Sequence, residues 1–370
     1  MEFIQGGATA IQAMIDAAYA DGSRAVTVTG NYEIEKTIRI PSNFSLLLMN
    51  CHLRMAAGTF CNMFVNASHG TEKGRTREGA DHNIIIEGIG RVILDGGEYN
   101  GLSERNHSRD GMPHISVNNI LLFTNVEGFT IRNIHVRNQR WWALNFISCC
   151  RGVIQNIDFC ADDSWIDSDG TIHHGFGKPS DSGENGGFCW QKIRIRNADG
   201  IDLRAGCHDI MVENITGFTQ DDTVAVTGLR GELERMYCVE NADDDIYNIS
   251  IRNVMVSAFC AKVRLLNQSG VRMYNILVDG VFDTSKGNPH MQSGGSGVRL
   301  GDNHMYGTRH ATEDETKNIT VQNVHSRAEF ALRLAGNMSA CCFRNISHFD
   351  DPALCVDDQA NVDTTSFFQA

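Results

Sequence analysis

The stretch NADGIDLRAGCHDIMVENITGFTQDDTVAV, residues 197–226, holds five aspartates, four of them in two close pairs: Asp199 with Asp202, then Asp221 with Asp222. The segment between them alternates apolar and polar residues and reads as a strand with one buried face. Charged side chains are costly to bury, so four of them point to an open groove rather than a core. Carboxylates held close together cannot all ionise. Repulsion raises the proton affinity of at least one and leaves a protonated acid beside an ionised base. That pairing serves cleavage of a glycosidic bond, in which one group protonates the leaving oxygen and another activates water. The same spacing also suits a calcium site or a solvated cluster of turn residues, and spacing alone leaves these readings open.

A repeat positions the aspartates. The pattern apolar, x, apolar, x, Asn, apolar recurs as FTIRNI (129–134), IMVENI (210–215), ISIRNV (249–254) and ITVQNV (319–324), with looser copies between them. Its asparagines are Asn133, Asn156, Asn197, Asn214, Asn253, Asn323 and Asn345, with Gly280 standing in once. Each unit alternates with period two, so each contains a strand that can bury its face only by stacking on copies of itself. Asparagine tolerates left-handed backbone angles, which suits a tight corner at a fixed place in every coil. Stacked asparagines can also hydrogen-bond from coil to coil. Equivalent positions of successive coils stack about 4.8 Å apart. Asp199 and Asp221, one coil apart, are therefore expected one above the other on the floor of a groove. Ala8 to Ala20 has Ile11, Met14, Ile15 and Ala18 at helical spacing, and such a helix can cap the open end of a stack.

The bulk numbers narrow the classes. The chain has 370 residues, 42% hydrophobic, with 36 glycines and only 5 prolines, and no Ser/Pro-rich linker divides it. A single all-β domain over residues 1–370 is expected, with a cap and first coils in 1–50 and an inserted loop at 160–190 lying over the groove. A net charge of −13 argues against nucleic acid as a partner, because phosphate binding needs a basic face. No apolar run is long enough to span a membrane. The N-terminus lacks a basic start and a continuous apolar core, so a cytoplasmic location is expected, or a secreted or periplasmic one if a signal has been trimmed. None of the twelve cysteines forms a CxxC, and they read as small buried hydrophobes rather than as disulfides or zinc ligands. No cofactor or metal is called for.

The repeat resembles that of pectin-lyase-like proteins, which implies a single-stranded right-handed parallel β-helix with an N-terminal capping helix. NADGIDL followed by TQDDTVAV resembles the NTDGID and QDD motifs of glycoside hydrolase family 28, the polygalacturonase family. ILDGGEYNG (93–101) and PHISVNNILLFTNVEGFTIRNIHVRNQRWWALNF (113–146) resemble the segments that precede that site. The resemblance implies an inverting glycosidase acting on a uronide-containing or related glycan. Asp221 would be the general acid, with Asp199 and Asp222 holding and activating water. Two of the family's elements are altered. Its GHG histidine aligns with Phe259-Cys260-Ala261, and its R-x-K element aligns with SGVRLGDN (296–303), where Arg299 is kept but Gly301 replaces the lysine. A rival alignment places Lys262 and Arg264 there with the order of charges reversed.

Further substrate contacts are expected from Asp202, from Trp142 beside Trp141 at a coil corner, from His174 in the insertion, and from His290 in the loop 283–297. His173 and His174 are also candidates to replace the missing histidine, or to join Asp167 and Asp169 on a metal. Two other functions fit the same fold. A polysaccharide lyase or epimerase would need a basic catalytic group where this chain has aspartates, and a tailspike-like solenoid would bind glycan without product.

Overall fold

The computed structural model describes residues 2–57, 59, 61–97, 116–139, 142–161, 164–167, 172–174, 193–194, 199–267, 270–287, 293–301, 309–360 and 366–368. For 164–167, 172–174, 193–194 and 366–368 the backbone alone is described.

Two parallel sheets run the length of the chain, one of 11 strands and one of 10. In each, a strand pairs with its counterpart one coil before and one coil after, so the chain winds as a parallel β-helix. The strands of the first sheet are long, for example Val126–Arg137, His208–Thr219 and Ile246–Ala258, because each turns a corner without leaving the sheet. The corner is the repeat asparagine. Asn133, Asn156, Asn214, Asn253, Asn323 and Asn345 all have left-handed φ, between 49° and 61°. Gly280, at φ 84°, takes the same bend with no side chain. Asn197 lies outside the described residues. The side-chain amides form the expected ladder: Asn156 donates to Asn133 (2.8 Å), Asn214 to Asn156 (3.0 Å) and Asn253 to Asn214 (3.1 Å).

A second ladder runs parallel to it, five residues earlier in each coil. Asp209, Asn248, Asn275 and Asn318 are also left-handed, and Asn248 donates to Asp209 (2.8 Å) and Asn275 to Asn248 (3.2 Å). Each long strand is therefore bent twice, and most of its corner residues are chosen for the bend.

Between the sheets lies a dry stack of Ile, Val, Leu and Phe, one layer per coil, in which Phe129 stacks on Phe146 at 4.8 Å. Cys149 and Cys207 belong to this core, and every described cysteine is free, as a reduced-thiol reading expects. The helix α1 (Gly7–Ala20) closes the first coil with Ala8, Ile11, Ile15 and Ala18 buried against it. Gly7 is required there, since a Cβ would lie 2.6 Å from that of Tyr32. A second helix, α2 (Glu232–Tyr237), follows the strand Val224–Gly228 and folds back over earlier coils. Its Leu233 and Tyr237 cover Val65, Leu122, Trp142 and Ile147 on the outside of the second sheet. The insertion expected as a loop carries three short strands, Ser164–Asp167, Ile172–His174 and Ile193–Arg194, paired antiparallel. Among the described residues no helix is long and apolar enough to cross a membrane.

Candidate active site

The aspartates meet where the chain enters the second sheet. Asp199 begins the strand Asp199–Arg204, and Asp221 and Asp222 form the turn just before Val224–Gly228. The two strands pair with Ile201 opposite Val224, which brings Asp199 level with Asp222. The Gly200 N–H donates to the Asp222 carbonyl at 3.0 Å, and the Asp222 N–H donates to the Asp199 carboxylate at 3.2 Å. The expected stacking of Asp199 on Asp221 is thus shifted by one residue. Asp222 sits above Asp199, and Asp221 stands beside them.

The next coil adds Cys260. The Thr223 N–H donates to the Ala261 carbonyl (3.0 Å) and the Ala261 N–H to the Asp222 carboxylate (2.7 Å). These bonds carry Cys260 to the aspartates, so that its sulfur and a carboxylate oxygen each of Asp221 and Asp222 lie within 4.8 Å of one another. Asp199 is buried, whereas Asp221, Asp222 and Cys260 are half-buried. Burial pushes the Asp222 carboxyl above the usual carboxylate range, and the guanidinium groups of Arg264 and Arg299 oppose that rise. One member of the cluster is therefore biased towards holding a proton.

The two arginines belong to a column. Ala225, Arg264, Arg299 and Arg333 pair in register on successive coils and project from the outer face of the second sheet. Arg333 is neutralised by Asp357 at 2.9 Å, while Arg264 and Arg299 are the members that act on Asp222. Gly301 has φ 77°, and a Cβ there would lie 1.8 Å from the Ala335 carbonyl oxygen. The backbone itself rules out a lysine at that position.

Two residues expected at the substrate have other partners. Lys262 is fully buried, with its ammonium 2.8 Å from the Asp283 carboxylate and donating to the Ser293 carbonyl at 2.7 Å. We assign it to holding the coil together. Asp202 is buried 3.5 Å from Arg204, whose guanidinium also bonds Glu234 of α2 (3.0 Å) and Asn145 (3.0 Å) and lies over the Trp142 ring at 4.2 Å. Trp142 is accordingly packed beneath α2 and presents no open wall. His173 and His174 are placed by backbone only, on the strand beside Ser164–Asp167. Trp141, Asp169 and His290 lie outside the described residues. Sequence reading missed the role of 231–245, where GELERMYCVENADDD carries no repeat pattern. Its one legible signal is the short amphipathic run that becomes α2.

A family model described as Glycosyl hydrolases family 28 matches residues 32–241. The match covers more than half of the chain and all three aspartates, and it ends before the coil of Cys260 and Arg264. Among solved structures, the chain is similar to polygalacturonase from Erwinia carotovora ssp. carotovora, at 14% identity over 96% of this chain and 91% of that one, with a TM-score of 0.54. It is also similar to a hyperthermoactive exopolygalacturonase from Thermotoga maritima, at 12% identity over 96% and 87%, TM-score 0.51. A third similar structure is the A-module of a mannuronan C-5 epimerase from Azotobacter vinelandii, at 13% identity over 98% and 92%, TM-score 0.51. At these identities the likeness is one of fold. No curated protein matches the chain. With its aspartates inside the matched segment and its coils wound as a parallel β-helix, the chain belongs to glycosyl hydrolase family 28.

Proposed function

We propose that this glycosidase hydrolyses O-glycosidic bonds of a uronide-containing or related acidic glycan by acid–base catalysis on Asp199, Asp221 and Asp222. The observation that carries the reading is the meeting of these three side chains across two coils, with Arg264 and Arg299 opposing the rise that burial causes in Asp222 and so favouring its ionised form. Asp221, in the place of the family's acid, protonates the leaving oxygen. Asp199 and Asp222 orient the water and take its proton. Inversion at the anomeric carbon follows from the family resemblance. Arg299, with Arg264 one coil before it, supplies the positive charge that an anionic sugar requires on a chain whose net charge is −13.

The test is a panel of acidic and neutral glycans, with NMR of the anomer first released. An inverted product from a uronide supports the whole reading. Turnover of neutral glycans only would remove the acidic-substrate assignment, and an unsaturated product would indicate a lyase.

The arginines also give a pH prediction. As a base, Asp222 acts when ionised. Burial raises its proton affinity and Arg264 lowers it, so Arg264→Gln should let it rise further. The acidic limb of the kcat/KM profile should then move to higher pH. An unmoved acidic limb would remove Asp222 from the role of base.

A further inference from the structure

Cys260 stands where the family pattern has histidine, yet its position is as closely fixed as that of the aspartates. Two backbone hydrogen bonds tie its turn to theirs, one through the Asp222 carboxylate itself. Its sulfur lies within 4.8 Å of a carboxylate oxygen of Asp221 and of Asp222. An ionised carboxylate only accepts, so in a hydrogen bond between the two groups the S–H is the donor. Burial, together with the carboxylates of Asp221, Asp222 and Asp199, holds the thiol protonated far above its ordinary range. Cys260 therefore remains a neutral donor throughout the acid and neutral range. An imidazole in its place would change charge within that range.

We propose that Cys260 is a positioning residue for the reaction, donating its S–H to Asp221 so as to orient that carboxylate and set the pH at which it takes up a proton. The inference rests on the reading of Asp221 as general acid. The other charged groups facing the cluster are Asp199 from its own strand, Asp222 beside it, and Arg264 and Arg299 from the following coils. Arg264 and Arg299 oppose the rise that burial causes in Asp222. A donor bonded directly to an ionised carboxylate favours that form. The thiol thereby favours the ionised form of Asp221, and the acid gives up its proton more readily to the leaving oxygen.

The test is an NMR titration of full-length protein carrying 13C-carboxyl aspartate, comparing the parent with Cys260→Ala and Cys260→Ser. The Asp221 resonance is assigned with Asp221→Asn, and thermal melts check that each variant folds. In Cys260→Ala the Asp221 midpoint should rise by about half a pH unit or more, the scale of a weak donor's hold on a charged acceptor. The alkaline limb of the pH–rate profile should move with it. Cys260→Ser, which restores a donor, should bring both back towards the parent. Equal midpoints in all three folded proteins would reduce Cys260 to packing and overturn the proposal. If the parent cleaves no glycan of the panel, the hydrolase reading fails separately, and the midpoints still decide whether the thiol acts on Asp221.

Discussion

Asp221→Asn should lower kcat by about 10³-fold or more on any glycan that the parent cleaves, with the fold intact. A positioned acid contributes roughly 10²- to 10⁴-fold, and an amide of the same shape has no proton to give the leaving oxygen. The substitution leaves the bond from the Thr219 hydroxyl in place, because it ends on the Asp221 carbonyl (3.1 Å). KM should change little, since the loss falls on the transition state. The check is reducing-end release measured beside a thermal melt and glycan binding. Retention of activity to within about tenfold would move the acid to another carboxyl, with Asp222 the first candidate because burial already raises its proton affinity.

Lys262→Met should cost about 3–5 kcal/mol of stability, the usual penalty for breaking a buried ion pair from one side. Both side chains of the Lys262–Asp283 pair are sealed from solvent at 2.8 Å. Asp283 would keep its bonds from Ser285 (N–H 2.8 Å, hydroxyl 2.5 Å) and the Arg327 N–H (3.0 Å) but would lose its counter-charge. Denaturant titration of Lys262→Met, Asp283→Asn and the double variant measures the coupling. The double variant should recover part of the loss, because no buried carboxylate is then left alone. A loss below about 1 kcal/mol for Lys262→Met would show the ammonium free to turn outward, and would reopen it as a substrate contact.

Much of this protein follows from local rules that operate within a coil. Period-two alternation makes the strands, asparagine at the corners turns them, and a strand too short to bury its own face must stack on the next. From these the stack of coiled strands, the asparagine ladder and the convergence of Asp199 with Asp221 and Asp222 can be read, while helical spacing gives the cap over Ala8–Ala20 and the family resemblance gives the parallel β-helix. The second ladder was equally local and was missed only because its occupants vary: Asn43, Gly128, Arg151, Asp209 and Ala340 all take the same left-handed bend. The one-residue offset that sets Asp199 under Asp222 was not legible, because a strand register is decided by the pairing of both partners.

The fate of each charged residue was decided by the tertiary structure. Along the outer face of the second sheet, Asp202, Lys262, Arg264 and Arg299 look alike in sequence: polar residues on strands whose other face is core. Asp202 is withdrawn by Arg204 and the Glu234 of a helix folded back from the next coil, and Lys262 by Asp283 from a different coil. Arg264 and Arg299 act on Asp222, and Gly301 is forced by the approach of the Ala335 carbonyl. Whether a charge is spent inside the protein or offered to a substrate depends on partners brought by other coils and insertions. Those partners share no spacing with it, so no periodicity along the chain reveals them.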